Sequence, residues 1–141
     1  MDDRFIQISI KPGFMKHNGG VLFRTISDSE YNFKATINDN HLNAAGIAHG
    51  GFIAALVDAG AGTAAHKSAD ENPCVTISLE LKFISTVKLN QEIIGTTKIQ
   101  KKTKSLIFLT CELVADKKIV ATASGVWKIL NKKLPWAGPG G

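Results

Sequence analysis

Between Gly50 and Ala65 only Asp58 and Thr63 are polar, yet the stretch reads as one long helix that starts near His49 and ends near His66 or Lys67. A helix on a protein surface normally keeps a polar stripe toward water. This one has none, so the chain must fold into something that covers a helix on most sides. A membrane span is disfavoured by composition: Gly and Ala dominate residues 58–65, and a carboxylate sits near the centre of the run, where insertion is costly.

The flanking sequence supplies the cover. "VLFRTISD" and "YNFKATIN", joined across "SDSE", read as a hairpin of two strands rich in β-branched and aromatic residues. "DNHLNAAG", residues 39–46, is a polar loop leading into the helix. After "ADENP", Ile77, Leu79, Leu81 and Phe83 alternate with Ser78, Glu80 and Lys82, the period of a strand buried on one face. "EIIGTTKIQ", "LIFLTCELV" and "KIVATASGVWKIL" follow with short polar connections, and with the preceding strand they read as an antiparallel meander. The expected class is α+β: a curved antiparallel sheet of about six strands wrapped around one long central helix.

At 141 residues the chain closes a single core. Residues 1–19 form an N-terminal lead-in, with turns at "KPG" and "HNGG" around a short helix or lead-in at Phe14 to Lys16. Residues 20–131 form the one domain. Residues 132–141, ending in "PWAGPGG", have no periodicity and read as a mobile tail.

The N-terminus opens on acids and breaks its apolar run at Gln7, unlike a secretion signal. Cys74 and Cys111 lie outside any metal or disulfide spacing. A reduced, cytoplasmic protein without a bound metal is expected. Seventeen basic against twelve acidic residues give a net charge of +5, which suits an anionic partner. Nucleic acid is disfavoured, because Phe108 and Trp127 are the only rings among the lysines at 98, 101, 102, 104, 117, 118, 128, 132 and 133. Most of these lysines read as solvated; a few near a site mouth would attract a phosphate-bearing ligand.

Chemistry concentrates around the helix. An isolated carboxylate on so apolar a helix is costly to bury, which favours a functional over a structural reading of Asp58. Gly50 and Gly51 stand at the helix start, where unpaired N–H groups and the positive dipole end meet and where glycine lets a ligand approach the backbone. His49 reads either as a cap or as a direct participant, and Asn43 as turn chemistry or a supporting polar group. Gly60 and Gly62 read as close-packing residues, His66 and Lys67 as complements to the helix dipole, and His17 and His41 as loop residues.

Asn43, Gly46, His49, Gly50, Gly51, Leu56 and Asp58 form N-x-x-G-x-x-H-G-G-x-x-x-x-L-x-D. This pattern resembles the hotdog-fold acyl-CoA thioesterases, in particular the PaaI-like branch of the phenylacetate pathway, and the order of strands and helix agrees over residues 20–131. The resemblance implies a helix wrapped by a curved sheet, dimers whose sheets join edge to edge, dimers of such dimers, and active sites between subunits. It further implies that Asp58 is nucleophile or general base and that the Gly50 N–H polarises the thioester carbonyl. Asn43 and His49 would support them, and Gly51 and Thr76 would meet the substrate, Thr76 by orienting water.

Thioester hydrolysis needs an attacking or water-activating group and a donor for the carbonyl oxygen, and no cofactor. If the helix begins near His49, Asp58 lies roughly 14 Å further along and about half a turn round. One helix cannot bring both ends to one thioester, whereas a two-fold dimer can. A non-catalytic acyl-CoA-binding module is the rival reading; it would tolerate an apolar residue at 58. The acid and base arrangement of a hotdog dehydratase is not visible.

Overall fold

A computed structural model describes residues 4–131. The expected mobile tail at 132–141, with Lys132 and Lys133, lies outside the described residues. The elements run β1 (Ile6–Gln7), α1 (Phe14–His17), β2 (Leu22–Ser27), β3 (Glu30–Thr36), a 3-10 turn (Asp39–His41), α2 (Gly50–Ser68), β4 (Cys74–Phe83), β5 (Glu92–Lys102), β6 (Leu106–Ala115) and β7 (Lys118–Ile129). The strands form one curved antiparallel sheet of seven, ordered β1-β2-β3-β5-β6-β7-β4, and α2 packs across its inner face. The lead-in is tied to this body: β1 pairs with β2, and Ile8 and Met15 join the core.

Glycine and aromatic residues set how closely helix and sheet approach. Phe33 on β3 lies between Gly60 of α2 and Gly95 of β5, and a Cβ on either glycine would collide with its ring. Trp127 on β7 is packed in the same way, covering Gly125 and touching the position a Cβ would take on Gly62. Both rings are at most 1% exposed, so each fills a gap that the absent side chains leave. The packing role expected of Gly60 and Gly62 is what the geometry displays.

Two expectations are corrected. The first concerns β4, read as the opening strand of the meander. It does not neighbour β5; it pairs with β7 at the far edge, from Cys74 opposite Ile129 to Phe83 opposite Ala121. The link 84–91 then crosses the fold. Ile84 N–H bonds Val120 O at 2.9 Å, Ala48 N–H reaches Val87 O at 2.8 Å, and Asn90 N–H bonds Ile37 O at 2.8 Å beside β3. Short turns such as "KKTKS" and "DKK" do make neighbours of the strands they join. A longer link carries no such constraint.

The sheet covers α2 on most sides as expected; the second correction concerns Asp58, read as a carboxylate that is costly to bury. Gly51 and Asp58 are exposed, and Ala54, Ala55 and Gly62 are partly so, which leaves one open stripe at helical spacing along α2. Small residues make that stripe inexpensive to expose, because Gly and Ala carry little apolar area. Asp58 is therefore not buried in the single chain. Among the described residues no helix is long and apolar enough to cross a membrane.

Candidate active site

The chain enters α2 through a loop built by its own short-range bonds. Asn43 Oδ1 accepts the N–H groups of Ala45 at 2.9 Å and Ile47 at 3.3 Å, and the Asn43 N–H bonds Ile47 O at 2.8 Å. Gly46 closes this loop at a φ of 78°, a left-handed conformation that side chains rarely adopt. Asn43 thus carries the turn chemistry its position suggested, and it also lines a cavity at the helix start.

His49 is the N-cap. With φ −65° and ψ 133° it leaves the chain extended just before the first turn, and its Nδ1 accepts the Gly51 N–H at 2.8 Å. Nδ1 of the His49 ring thus caps this helix. The next donor of the first turn is also occupied, since Phe52 N–H reaches His49 O at 3.0 Å. The Gly50 N–H meets no acceptor among the described residues. Gly50 is part of the lining of a 270 Å³ cavity, with Asn43, Ile53, Phe83, Ser85 and Thr86 among the other lining residues. A Cβ at Gly50 would stand 3.5 Å from the Phe83 ring, so that ring forms the near wall.

Asp58 stands on the open stripe of α2, and its Oδ1 accepts the Thr76 hydroxyl at 2.7 Å. Thr76 reaches it because a bulge between Thr76 and Ser78 breaks the β4 ladder, leaving Thr76 opposite Trp127 on the helix-facing side. The same bulge pushes Ile77 out, to 56% exposed. The period-two pattern of β4 is therefore interrupted at its start.

The six residues singled out in the sequence thus fall into two groups. Asn43, His49, Gly50 and Gly51 gather at the helix start, and Asp58 pairs with Thr76 farther along. Asp58 lies eight positions along the helix from Gly50, about 12 Å of axial rise. The lysines divide too: Lys101, Lys102, Lys104 and Lys128 lie at the β5–β6 turn and Lys117 and Lys118 at the opposite β6–β7 turn. Lys102 is committed to the end of α2, its Nζ donating to Ser68 O at 2.7 Å.

Neither cysteine offers a thiolate near neutral pH. Burial pushes the Cys111 thiol up to about 12 and Cys74 up to about 11. Among the described residues no three His, Cys, Asp or Glu side chains gather in a way that could hold a metal ion.

One residue at the site escaped the sequence reading. His41, taken for a loop residue, is only 2% exposed and supports the helix start from below. The available signal was the spacing Asn38-x-x-His41, which is that of a capping box; both halves of that box are formed. It was missed because histidine is seldom the second partner.

The family model described as "Thioesterase superfamily" matches residues 45–122. A Pseudomonas aeruginosa protein named "Putative esterase PA0474" is 32% identical over 94 residues, covering 66% of this chain and 70% of that protein. Mouse "Acyl-coenzyme A thioesterase 13" is 28% identical over 102 residues, covering 72% and 73%. The structure of the PaaI protein from the Escherichia coli phenylacetic acid degradation operon superposes with a TM-score of 0.74 at 18% identity, over 84% of each chain. That similarity is one of fold.

Proposed function

Because the chain belongs to the thioesterase superfamily, we propose that it is an acyl-CoA thioesterase, hydrolysing an acyl- or aroyl-CoA to the free acid and CoA. The observation that carries this reading is the Thr76–Asp58 hydrogen bond of 2.7 Å. It holds one carboxylate oxygen in place on an exposed helix stripe and leaves the other to act. The N–H of Gly50, which has no acceptor among the described residues and belongs to a residue lining the cavity at the helix start, supplies the complementary donor. His49 and Asn43 hold that donor's turn and loop, and Gly51 leaves the approach open.

With Asp58 as general base, a water oxygen adds to the thioester carbonyl carbon while its proton passes to the carboxylate. Charge gathering on the carbonyl oxygen meets the Gly50 N–H. The C–S bond then breaks, and CoA leaves as a thiolate that takes up a proton. With Asp58 as nucleophile, its oxygen adds first, the thiolate departs, and water cleaves the resulting anhydride. Both routes need the same carboxylate in the same place, and neither needs a cofactor.

A separation of about 12 Å along one helix is too great for both groups to meet one thioester. The site is therefore shared: the helix start of one copy meets the Asp58 and Thr76 of another across a two-fold axis. β4 has no partner on its outer side among the described residues, and Ile77, Phe83 and Ile84 are each 56% exposed along and beyond it. Pairing two β4 strands would extend the sheet and cover these residues, giving a dimer or a dimer of dimers. The reduced cytoplasm suits its two free thiols.

The test is a hydrolysis screen over short, medium, long and aromatic acyl-CoAs, following release of the free thiol, with Asp58→Asn beside the wild type. Turnover of at least one substrate that the variant loses is the expected result. Calorimetric binding of acyl-CoAs with no turnover of any would replace the enzyme by a binding module.

A further inference from the structure

We propose that His41 is a positioning residue for the Gly50 N–H, fixing His49 just before it and Phe52 two residues after it. The inference rests on reading Gly50 as the donor to the thioester carbonyl, and it adds a residue that the motif does not contain.

Every polar group of His41 is committed. Its N–H bonds Asn38 O at 3.0 Å, and its carbonyl accepts the His49 N–H at 2.7 Å. In the ring, Nδ1 accepts the Asn38 N–H at 3.0 Å, and Nε2 bonds Asn18 O. Since the Asn38 N–H is a donor, Nδ1 must be bare and the ring proton must sit on Nε2, donating to the Asn18 carbonyl. The ring thus has one tautomer and one orientation. It stacks on Phe52 with centroids 3.6 Å apart and planes 12° from parallel.

The consequence lies in where these contacts fall. The His41 carbonyl holds the N-cap residue His49, and the His41 ring holds Phe52, two residues after Gly50. Gly50 has no side chain to anchor its own peptide, and its N–H has no acceptor among the described residues. Its direction is therefore set by its neighbours on both sides. A donor aimed at a developing oxyanion loses much of its effect when displaced by about 1 Å, so the anchor should act on kcat rather than on substrate affinity. A purely structural core residue would act on stability alone.

The experiment compares the full-length wild type with His41→Gln, Phe52→Leu and Leu109→Ala, the last a buried residue of β6 that is not among those lining the cavity at the helix start. For each, kcat and KM on an acyl-CoA, the thermal midpoint and the Gly50 amide NMR shift are measured. Expected are kcat losses of about tenfold or more for His41→Gln and Phe52→Leu, with KM within about twofold and the Gly50 amide shifted. Leu109→Ala, destabilised at least as much, should keep kcat within about twofold and leave that amide unmoved. Loss of kcat in proportion to thermal midpoint across all three, or an unmoved Gly50 amide in the His41 and Phe52 variants, would overturn the proposal. If His41→Gln does not fold, Phe52→Leu decides. If the wild type hydrolyses no CoA thioester, the enzymatic reading fails, and the amide shift alone judges the positioning.

Discussion

Thr76 donates its hydroxyl to Asp58 Oδ1 at 2.7 Å, joining the first part of an edge strand to the middle of the central helix. This pairing could not be read from either segment alone. It needs the β4 bulge to turn Thr76 inward and the α2 stripe to turn Asp58 toward it. A side-chain hydroxyl in this position keeps the carboxylate from rotating.

Asp58→Asn should leave a folded protein with a thermal midpoint within a few degrees of the wild type, since the residue is exposed and its amide can still accept from Thr76. Turnover should fall on the order of a hundredfold or more. Thr76→Val should lose about tenfold, and Thr76→Ser should keep most of the activity because it keeps the hydroxyl. Steady-state kinetics and a melting curve check both; an equally active Thr76→Val would show the hydroxyl to be idle.

At Gly50 two substitutions separate space from hydrogen bonding. A Cβ would meet only the Phe83 ring at ordinary contact distance, so Gly50→Ala should fold with little loss of stability and keep the N–H. Gly50→Pro removes the N–H at a first helical position, where proline is accepted, and His49 is already extended as a residue before proline must be. Both should fold, with kcat falling at least tenfold further in Gly50→Pro than in Gly50→Ala. Equal kinetics for the two would remove the N–H from the mechanism.

The shared site predicts complementation. Gly50→Pro and Asp58→Asn should each be nearly inactive alone. Mixed by co-refolding in equal amounts, about half the dimers are heterodimers, each with one intact and one doubly damaged site, so roughly a quarter of wild-type activity should return. Mass spectrometry establishes that mixed dimers formed. Mixed dimers without activity would place both groups in one subunit's site.

Gly95→Ala and Gly60→Ala should each destabilise the fold by about 1–3 kcal/mol or more, because a Cβ at either position collides with the buried Phe33 ring. Denaturant titration measures the loss. Combining Gly95→Ala with Phe33→Leu should cost less than the sum of the two single changes, since the shorter side chain clears the collision.

The raised thiol of Cys111 predicts a decline of stability in alkali. Its folded value of about 12 lies above the ordinary 9.0, so the unfolded chain releases this proton first as pH rises. The contribution is fully present below about pH 9 and is lost between there and about 12, at up to about 1.4 kcal/mol per pH unit. Urea midpoints from pH 8 upward should fall less steeply for Cys111→Ala than for the wild type. Parallel slopes would mean that the thiol titrates normally.

Local chemistry alone determined much of this protein. Residue type and alternation marked the six long strands, a long apolar run without a polar face marked the central helix, His49 marked the helix start, and the motif from Asn43 to Asp58 carried the family resemblance and most residues of the candidate site. These are properties of short stretches, in which neighbours in the chain are neighbours in space. Only the tertiary structure decided that β4 lies beside β7, that Asp58 is open to solvent, and that the ring of His41 is buried under Phe52. Each of these depends on contacts between segments far apart in the chain. Strand order follows from how a link crosses the sheet, and burial from what else packs against a residue, so neither leaves a periodic trace along the sequence.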